Sequence, residues 1–143
     1  MGYYFKAGYT YKPLLNNYIA TIIEAPAFNP TIITNSVFME SYHAYEYMAA
    51  GVMPVYEIRD NIFIKMEGYV YIPMREILMD EENKAYFGGY FQRMYPLFNG
   101  SFNVVTPVGP VTLNIAYLTA EDRPWNIQLS FGYLLFNKKS TSL

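Results

Sequence analysis

The side chains that could carry chemistry are few and scattered. There is no cysteine, which removes disulfides, thiolate metal sites and a thiol nucleophile. His43 is the one imidazole. It has no companion at metal-ligand spacing, and a single His on a strand reads more readily as a surface or interfacial residue. Ser101 follows Gly100 but lacks the second glycine of a Gly-x-Ser-x-Gly elbow, which holds a nucleophile on a strained strand-to-helix turn. Asp80-Glu81-Glu82 reads as a solvated loop tip, with contact to a divalent ion or lipopolysaccharide as the sharper alternative. Glu46, Lys65 and Glu67 are different, because their spacing puts them on the polar faces of neighbouring strands. The sequence is therefore read as having no catalytic, cofactor-binding or metal site.

The composition says what surrounds these residues. Hydrophobic residues make up 52% of the 143 and charged residues only 15%, against about 25% charged in an ordinary soluble domain. Aromatics reach 19%, with 16 Tyr and 10 Phe, an excess that suits long strands with interfacial girdles. A net charge of −2 and the lack of a basic patch interleaved with aromatics argue against nucleic acid. No apolar run is long enough for a transmembrane helix. Met1-Gly2-Tyr3-Tyr4-Phe5-Lys6 has none of the parts of a signal peptide. The expectation is a piece of a longer exported protein.

The dominant period is two, the mark of strands with unlike faces. In Trp125–Phe136 one face carries Trp125, Ile127, Leu129, Phe131, Tyr133 and Leu135, and the other Asn126, Gln128, Ser130 and Gly132. Val111–Leu118 repeats the pattern with Val111, Leu113 and Ile115 opposite Thr112 and Asn114. Leu97–Thr106 sets Phe98, Phe102 and Val104 against Asn99, Ser101 and Asn103. Further strands are predicted over 61–72, about 38–57, 18–25 and 3–11, with an eighth over 85–91. Short turns are expected at 12–17, 59–60 and 107–110, and longer loops at 26–36, 73–91 and 119–124. Such alternation in length belongs to outer-membrane barrels, whose periplasmic turns are short and outer loops long. Lys65, Glu46 and Glu67 should then line the lumen and pair across strands, since a Lys facing lipid costs roughly 2–4 kcal/mol at the midplane. A substrate-selecting ring in an open pore is the alternative role for them.

The tail of the chain carries a resemblance. Thr106-Pro107-Val108-Gly109-Pro110, an alternating strand, a short loop and then Ile127-Gln128-Leu129-Ser130-Phe131-Gly132-Tyr133 is similar to the end of the bacterial surface antigen (outer-membrane assembly factor) barrel. Ala25-Pro26-Ala27-Phe28-Asn29-Pro30-Thr31, Tyr47-Met48-Ala49-Ala50-Gly51-Val52 and Phe131-Gly132-Tyr133-Leu134-Leu135-Phe136-Asn137 most resemble the barrel of Bacteroidetes patatin-like phospholipase outer-membrane proteins. The resemblance implies a periplasmic turn at Thr106, Pro107, Gly109 and Pro110. It also implies a C-terminal strand signal at Phe131, Gly132, Tyr133 and Phe136, and a lipase domain upstream. Two features depart from the wider superfamily. The loop 26–36 has no Arg-Gly-aromatic element, and a tail follows Phe136.

The expected fold is all-β: an antiparallel transmembrane β-barrel segment of about seven or eight strands in meander order. Residues 1–136 form the C-terminal part of an outer-membrane barrel and 137–143 a short polar periplasmic tail. The expected role is to anchor, and in the fuller reading to provide a pore for, a patatin-like lipase domain that this chain lacks. Expected partners are outer-membrane lipids, the barrel-assembly machinery, and either missing N-terminal strands or a second copy. No cofactor is expected. The competing readings are a soluble calycin-like barrel that binds a small ligand, and a polypeptide-translocating pore. Which face of the last strand is buried separates the first competitor from the barrel.

Overall fold

The computed structural model describes residues 1–132. Among the described residues nine strands form: β1 (Gly2–Tyr9), β2 (Glu46–Met53), β3 (Val55–Arg59), β4 (Ile62–Pro73), β5 (Arg75–Met79), β6 (Ala85–Tyr90), β7 (Tyr95–Thr106), β8 (Gly109–Leu118) and β9 (Trp125–Phe131). One antiparallel sheet runs β1-β2-β4-β7-β8-β9, with β3 pairing β4; β5 and β6 form a separate hairpin. β3 carries on from β2 past Pro54, so the order is a meander. Among the described residues the sheet is open, with β1 and β9 as its edges.

The alternation predicts the strands well where both faces have a consistent character. β4 and β7 pair over ten positions, from Ile62↔Val104 to Tyr71↔Tyr95. In that register Glu67 faces Asn99 and Lys65 faces Ser101, while Met66 and Gly100 share the opposite face. The rows continue into β8 and β9: Ser101↔Asn114↔Gln128 on one face, Phe102↔Leu113↔Leu129 on the other.

The turns need particular residues. Asp60-Asn61 closes β3 onto β4. At the next turn only Pro107-Val108 lie between strands. Gly109 and Pro110, read from the sequence as part of the break, already pair with Thr106 and Val105. Gly109 has φ 146, a value that glycine reaches without a Cβ penalty. The Thr106 hydroxyl donates to the Gly109 carbonyl across the turn.

Three expectations fail in the connection between β1 and β2. Residues 18–25, read as a strand, form the helix α1 (Tyr18–Glu24). Four of its seven residues are β-branched, but Asn17 caps it by accepting from the Ala20 amide at 3.1 Å. Tyr18, Ile22 and Ala25 then recur at helical spacing and pack with Leu14, Tyr45, Ile77, Ala85 and Phe87. Residues 12–17 are consequently no turn between strands. The long strand read from Phe38 begins only at Glu46, because Glu40–Tyr42 is a 3₁₀ turn. Within the loop 26–36 a second short helix, α2 (Ile32–Ser36), carries a reciprocal capping box between Thr31 and Thr34. The loop 73–91 is also more ordered than expected. It is the β5–β6 hairpin, and the eighth strand read at 85–91 is β6.

All long connections therefore gather at one end of the sheet: 10–45, 74–94 and 119–124. Both short turns lie at the other.

Candidate functional site

The two faces of the sheet are unlike. On the convex face most rows stay apolar from strand to strand, with Arg59 and Glu46 at the ends of their strands as charged exceptions. Ile127 and Leu129 are 73% and 71% exposed, and Tyr3, Phe5, Met66, Phe98 and Ile115 are exposed as well. On the concave face Asn99, Ser101 and Asn114 are buried. The apolar residues of β8 and β9 thus point away from the core, as a calycin-like interior would not allow.

The concave face divides in two. Near the long connections it is dry and aromatic. Residues 26–44 fold back into it, led by Phe28, which is fully buried. The Phe28 ring stacks on Tyr71 at 5.1 Å and meets Tyr4, Tyr42, Tyr47 and Tyr69 at 6.1–6.4 Å. Lys6 Nζ and the Tyr47 hydroxyl both donate to the Ala27 carbonyl at 3.2 Å. Phe28 and Tyr42 close the segment on itself through a 2.9 Å backbone bond. Gly51 is needed here: a Cβ would lie 2.3 Å from the Tyr69 ring and 2.7 Å from the Gly68 carbonyl.

Toward the short turns the wall is polar. Glu67 lies almost out of solvent and is held by three donors: Lys65 Nζ at 2.8 Å, the Tyr69 hydroxyl at 2.8 Å and Asn99 Nδ2 at 2.7 Å. Both carboxylate oxygens are engaged, as a buried ion requires. Thr112 donates to Asn103 at 2.7 Å, and Asn103 to Ser101 at 3.2 Å.

The three charges expected to meet in the lumen do not form one cluster. Lys65 and Glu67 pair, whereas Glu46 sits at the far end of β2, in register with the outward Tyr9 rather than with the inner wall, beside Arg75 with Nη2 to Oε1 at 3.4 Å. Arg75 was not foreseen. Its guanidinium also lies over the Phe87 and Tyr90 rings at 4.2 and 5.1 Å. No local pattern gives Phe28 or Arg75 its packing role, because both act through non-local contacts.

The turn motif and the final strand touch. The Gly132 amide donates to the Pro110 carbonyl at 2.8 Å. A Cβ on Gly132 would stand 2.9 Å from Pro110 Cγ, so glycine there lets β9 pass the proline ring. Phe131 faces outward and is exposed. Tyr133 and Phe136, the rest of the expected strand signal, lie outside the described residues, as does the tail 137–143.

Nothing assembles the scattered reactive groups. Ser101 is committed to its Asn103 bond, and His43 Nδ1 lies 2.9 Å from the Met39 carbonyl. Asp80-Glu81-Glu82 caps the β5–β6 hairpin, where Lys84 pairs with Glu82 at 2.6 Å. Among the described residues, no three His, Asp or Glu side chains are placed to share a metal ion. Tyr95 donates to Glu76 and Arg93 approaches it at 3.7 Å, forming a polar cluster under the outer connections. In the 119–124 connection, burial first and then Asp122 and Glu40 raise the Glu121 carboxyl above its ordinary value. Comparison with protein-family models, with curated proteins and with solved structures gives no match for this chain.

Proposed function

We propose that the chain is a wall segment of a bacterial outer-membrane β-barrel, serving as the membrane anchor of a patatin-like lipase domain lying upstream. The observation that carries the membrane part is the convex face. Its central register rows, such as Tyr56–Ile64–Phe102–Leu113–Leu129, are apolar across every strand they cross. In water such a face would be an association hazard; in a bilayer it is the surface a barrel needs. β4 and β7, at 12 residues each, and β8, at 10, have the length that a tilted strand uses to cross hydrocarbon, about 9–11 residues. Tyr117 and Trp125 meet edge to face at 4.9 Å near the long-connection end, where an aromatic belt would lie.

The open edges of β1 and β9 leave unpaired backbone groups, which a bilayer does not tolerate. In this reading they are completed by further strands or by a second copy, and the barrel-assembly machinery inserts the whole. The lipase partner rests on the sequence resemblance.

Trp125 is the only tryptophan and lies on the convex face, so its fluorescence reports directly. After refolding into phospholipid vesicles, lipids brominated on the acyl chain should quench it strongly. Trp125 emission unaffected by brominated chains in folded protein would end the membrane reading.

A further inference from the structure

The two open edges of the sheet, β1 and β9, fit each other. Six strands stand side by side in antiparallel order. Because that number is even, β1 runs toward the long connections and β9 runs away from them.

Length and face select one register between these edges. β9 has seven residues and β1 has eight. Only two antiparallel registers give all seven a partner: Trp125 opposite Tyr9, or Trp125 opposite Gly8. The second sets every outward side chain against an inward one, since a slip of one residue exchanges the faces. The first matches outward with outward from Trp125–Tyr9 to Phe131–Tyr3. The backbone agrees with it. The Thr10 amide donates back into the sheet, to the Tyr45 carbonyl, and the Gly132 amide to the Pro110 carbonyl. Successive residues of a strand alternate in direction, so the N–H and C=O groups of Tyr9 and Phe5, and of Leu129 and Phe131, point toward the open edges. In the first register these groups face one another, as an antiparallel ladder needs.

The inward side supplies a further match, with Gln128 opposite Lys6. Gln128 Oε1 is buried without a hydrogen-bond partner among the described residues. An amide oxygen has two lone pairs, so it can accept from Asn114 Nδ2 in its own row and from a lysine as well. The Lys6 ammonium has three N–H groups and gives one to the Ala27 carbonyl.

We propose that β9 of one copy pairs with β1 of a second copy, twice over, so that two chains close one barrel about a two-fold axis. The proposal rests on the membrane reading above. Closure within a single chain lacks room: about eight strands leave an interior just wide enough for side chains, and this wall already encloses residues 26–44 with the fully buried Phe28 and Tyr42. Two copies bring twelve strands side by side. Antiparallel pairing of like edges, β1 with β1 or β9 with β9, would send the long connections of the two copies to opposite sides of the membrane. The β9–β1 junction keeps them on one side.

The chain has no cysteine, so engineered thiols report cleanly. Phe5 and Leu129, 75% and 71% exposed on the outward faces, should tolerate the change. Full chains carrying Phe5→Cys and full chains carrying Leu129→Cys are mixed, refolded together in phospholipid vesicles and treated with a short bis-maleimide. The mixture should give at least tenfold more covalent dimer than either variant alone. Phe5→Cys mixed with Met66→Cys, an outward position in mid-sheet, should give none. Tyr3→Cys with Phe131→Cys repeats the test should the first pair fold poorly. Dimer from Phe5→Cys alone, equal to that of the mixture, overturns the proposal in favour of like-edge pairing. A linked monomer without dimer from the chain carrying both Phe5→Cys and Leu129→Cys overturns it in favour of single-chain closure. No cross-link in either mixture also overturns it. If Trp125 is then still quenched by brominated acyl chains, the membrane reading stands and other strands complete the edges; if it is not, the membrane reading has failed too.

Discussion

Replacing Lys65 with alanine asks how dry the inner wall is. The Glu67 side chain is 4% exposed and Lys65 is 39% exposed. The substitution leaves Glu67 with the Tyr69 and Asn99 donors but removes its one counter-ion within bonding distance among the described residues. A hydrogen bond to a charged group contributes about 1.5–3 kcal/mol. Half-exposure of Lys65 lets solvent screen part of the attraction, so the lower end applies, about 1.5–2 kcal/mol. That corresponds to roughly a tenfold to thirtyfold loss in the folding equilibrium constant. The comparison is Lys12→Ala. Lys12 pairs with Glu24 at 3.3 Å with both side chains well exposed, and such pairs contribute about 0–1 kcal/mol. Urea unfolding in lipid vesicles, followed by the heat-modifiable shift on gels, would rank the two variants. Glu67→Gln added to Lys65→Ala should recover part of the loss, because it removes the stranded charge. Equal midpoints for Lys65→Ala and Lys12→Ala would mean that Glu67 is hydrated, and the inner wall would then be an open, water-filled channel.

Other substitutions separate the faces and the filling segment. Leu113→Arg puts a cation on the convex face and should cost roughly 2–4 kcal/mol if that face lies near the bilayer midplane; Thr112→Arg, pointing inward beside it, should cost less, as judged by folding yield in vesicles. Phe28→Ala empties a fully buried ring site and should destabilise by about 3–5 kcal/mol. Amide exchange should show the loss first at Tyr42 and Ala44, and later in the β4–β7 ladder. Glu121 should confer a pH dependence. Its folded-state pKa is raised by burial and by Asp122 and Glu40, so ionising it costs more in the folded chain than in the unfolded. The cost is absent below the ordinary carboxylate pKa and grows as pH rises through the raised one. Glu121→Gln should therefore raise the unfolding midpoint at neutral pH and leave it unchanged in acid; a gain of equal size in acid would contradict the assignment.

Strands were legible in the sequence wherever both faces kept one character. Asn99, Ser101 and Asn103 between Phe98, Phe102 and Val104 can only alternate, and β7 follows. Tyr18–Ala25 was misread because Ile19, Ile22 and Ile23 have high strand propensity and the deciding contacts are remote. Ile22 and Ala25 pack on Ile77 of β5, which no local window contains. The cap at Asn17 was visible, yet it carries little weight beside a run of β-formers. The Lys65–Glu67 pair was legible because two residues on one strand share a face at spacing two. Glu46 separates from it by register: it pairs with Tyr9 in the outward alternation of β2, whereas Lys65 and Glu67 face inward.

Register also explains why the dry and polar halves of the concave wall can share a strand. On β4 the inward residues run Lys65, Glu67, Tyr69, Tyr71, so the strand passes from ionic to aromatic within four inward positions. Tyr69 is the joint. Its ring packs at 6.1 Å from Phe28, and its hydroxyl donates to Glu67 at 2.8 Å. A phenylalanine there would keep the aromatic packing but would take one of three donors from a buried carboxylate. An aliphatic residue would lose both. The amphipathic character of tyrosine, an apolar body with a polar tip, is what lets the filling segment 26–44 end against a wet wall without stranding a charge. Tyr47 shares this arrangement, whereas the Tyr71 and Tyr42 hydroxyls are buried without a partner among the described residues. Tyr47 uses its hydroxyl on the Ala27 carbonyl while its ring packs against Phe28. The abundance of tyrosine over phenylalanine in this chain is therefore a property of the concave wall as much as of any interfacial girdle.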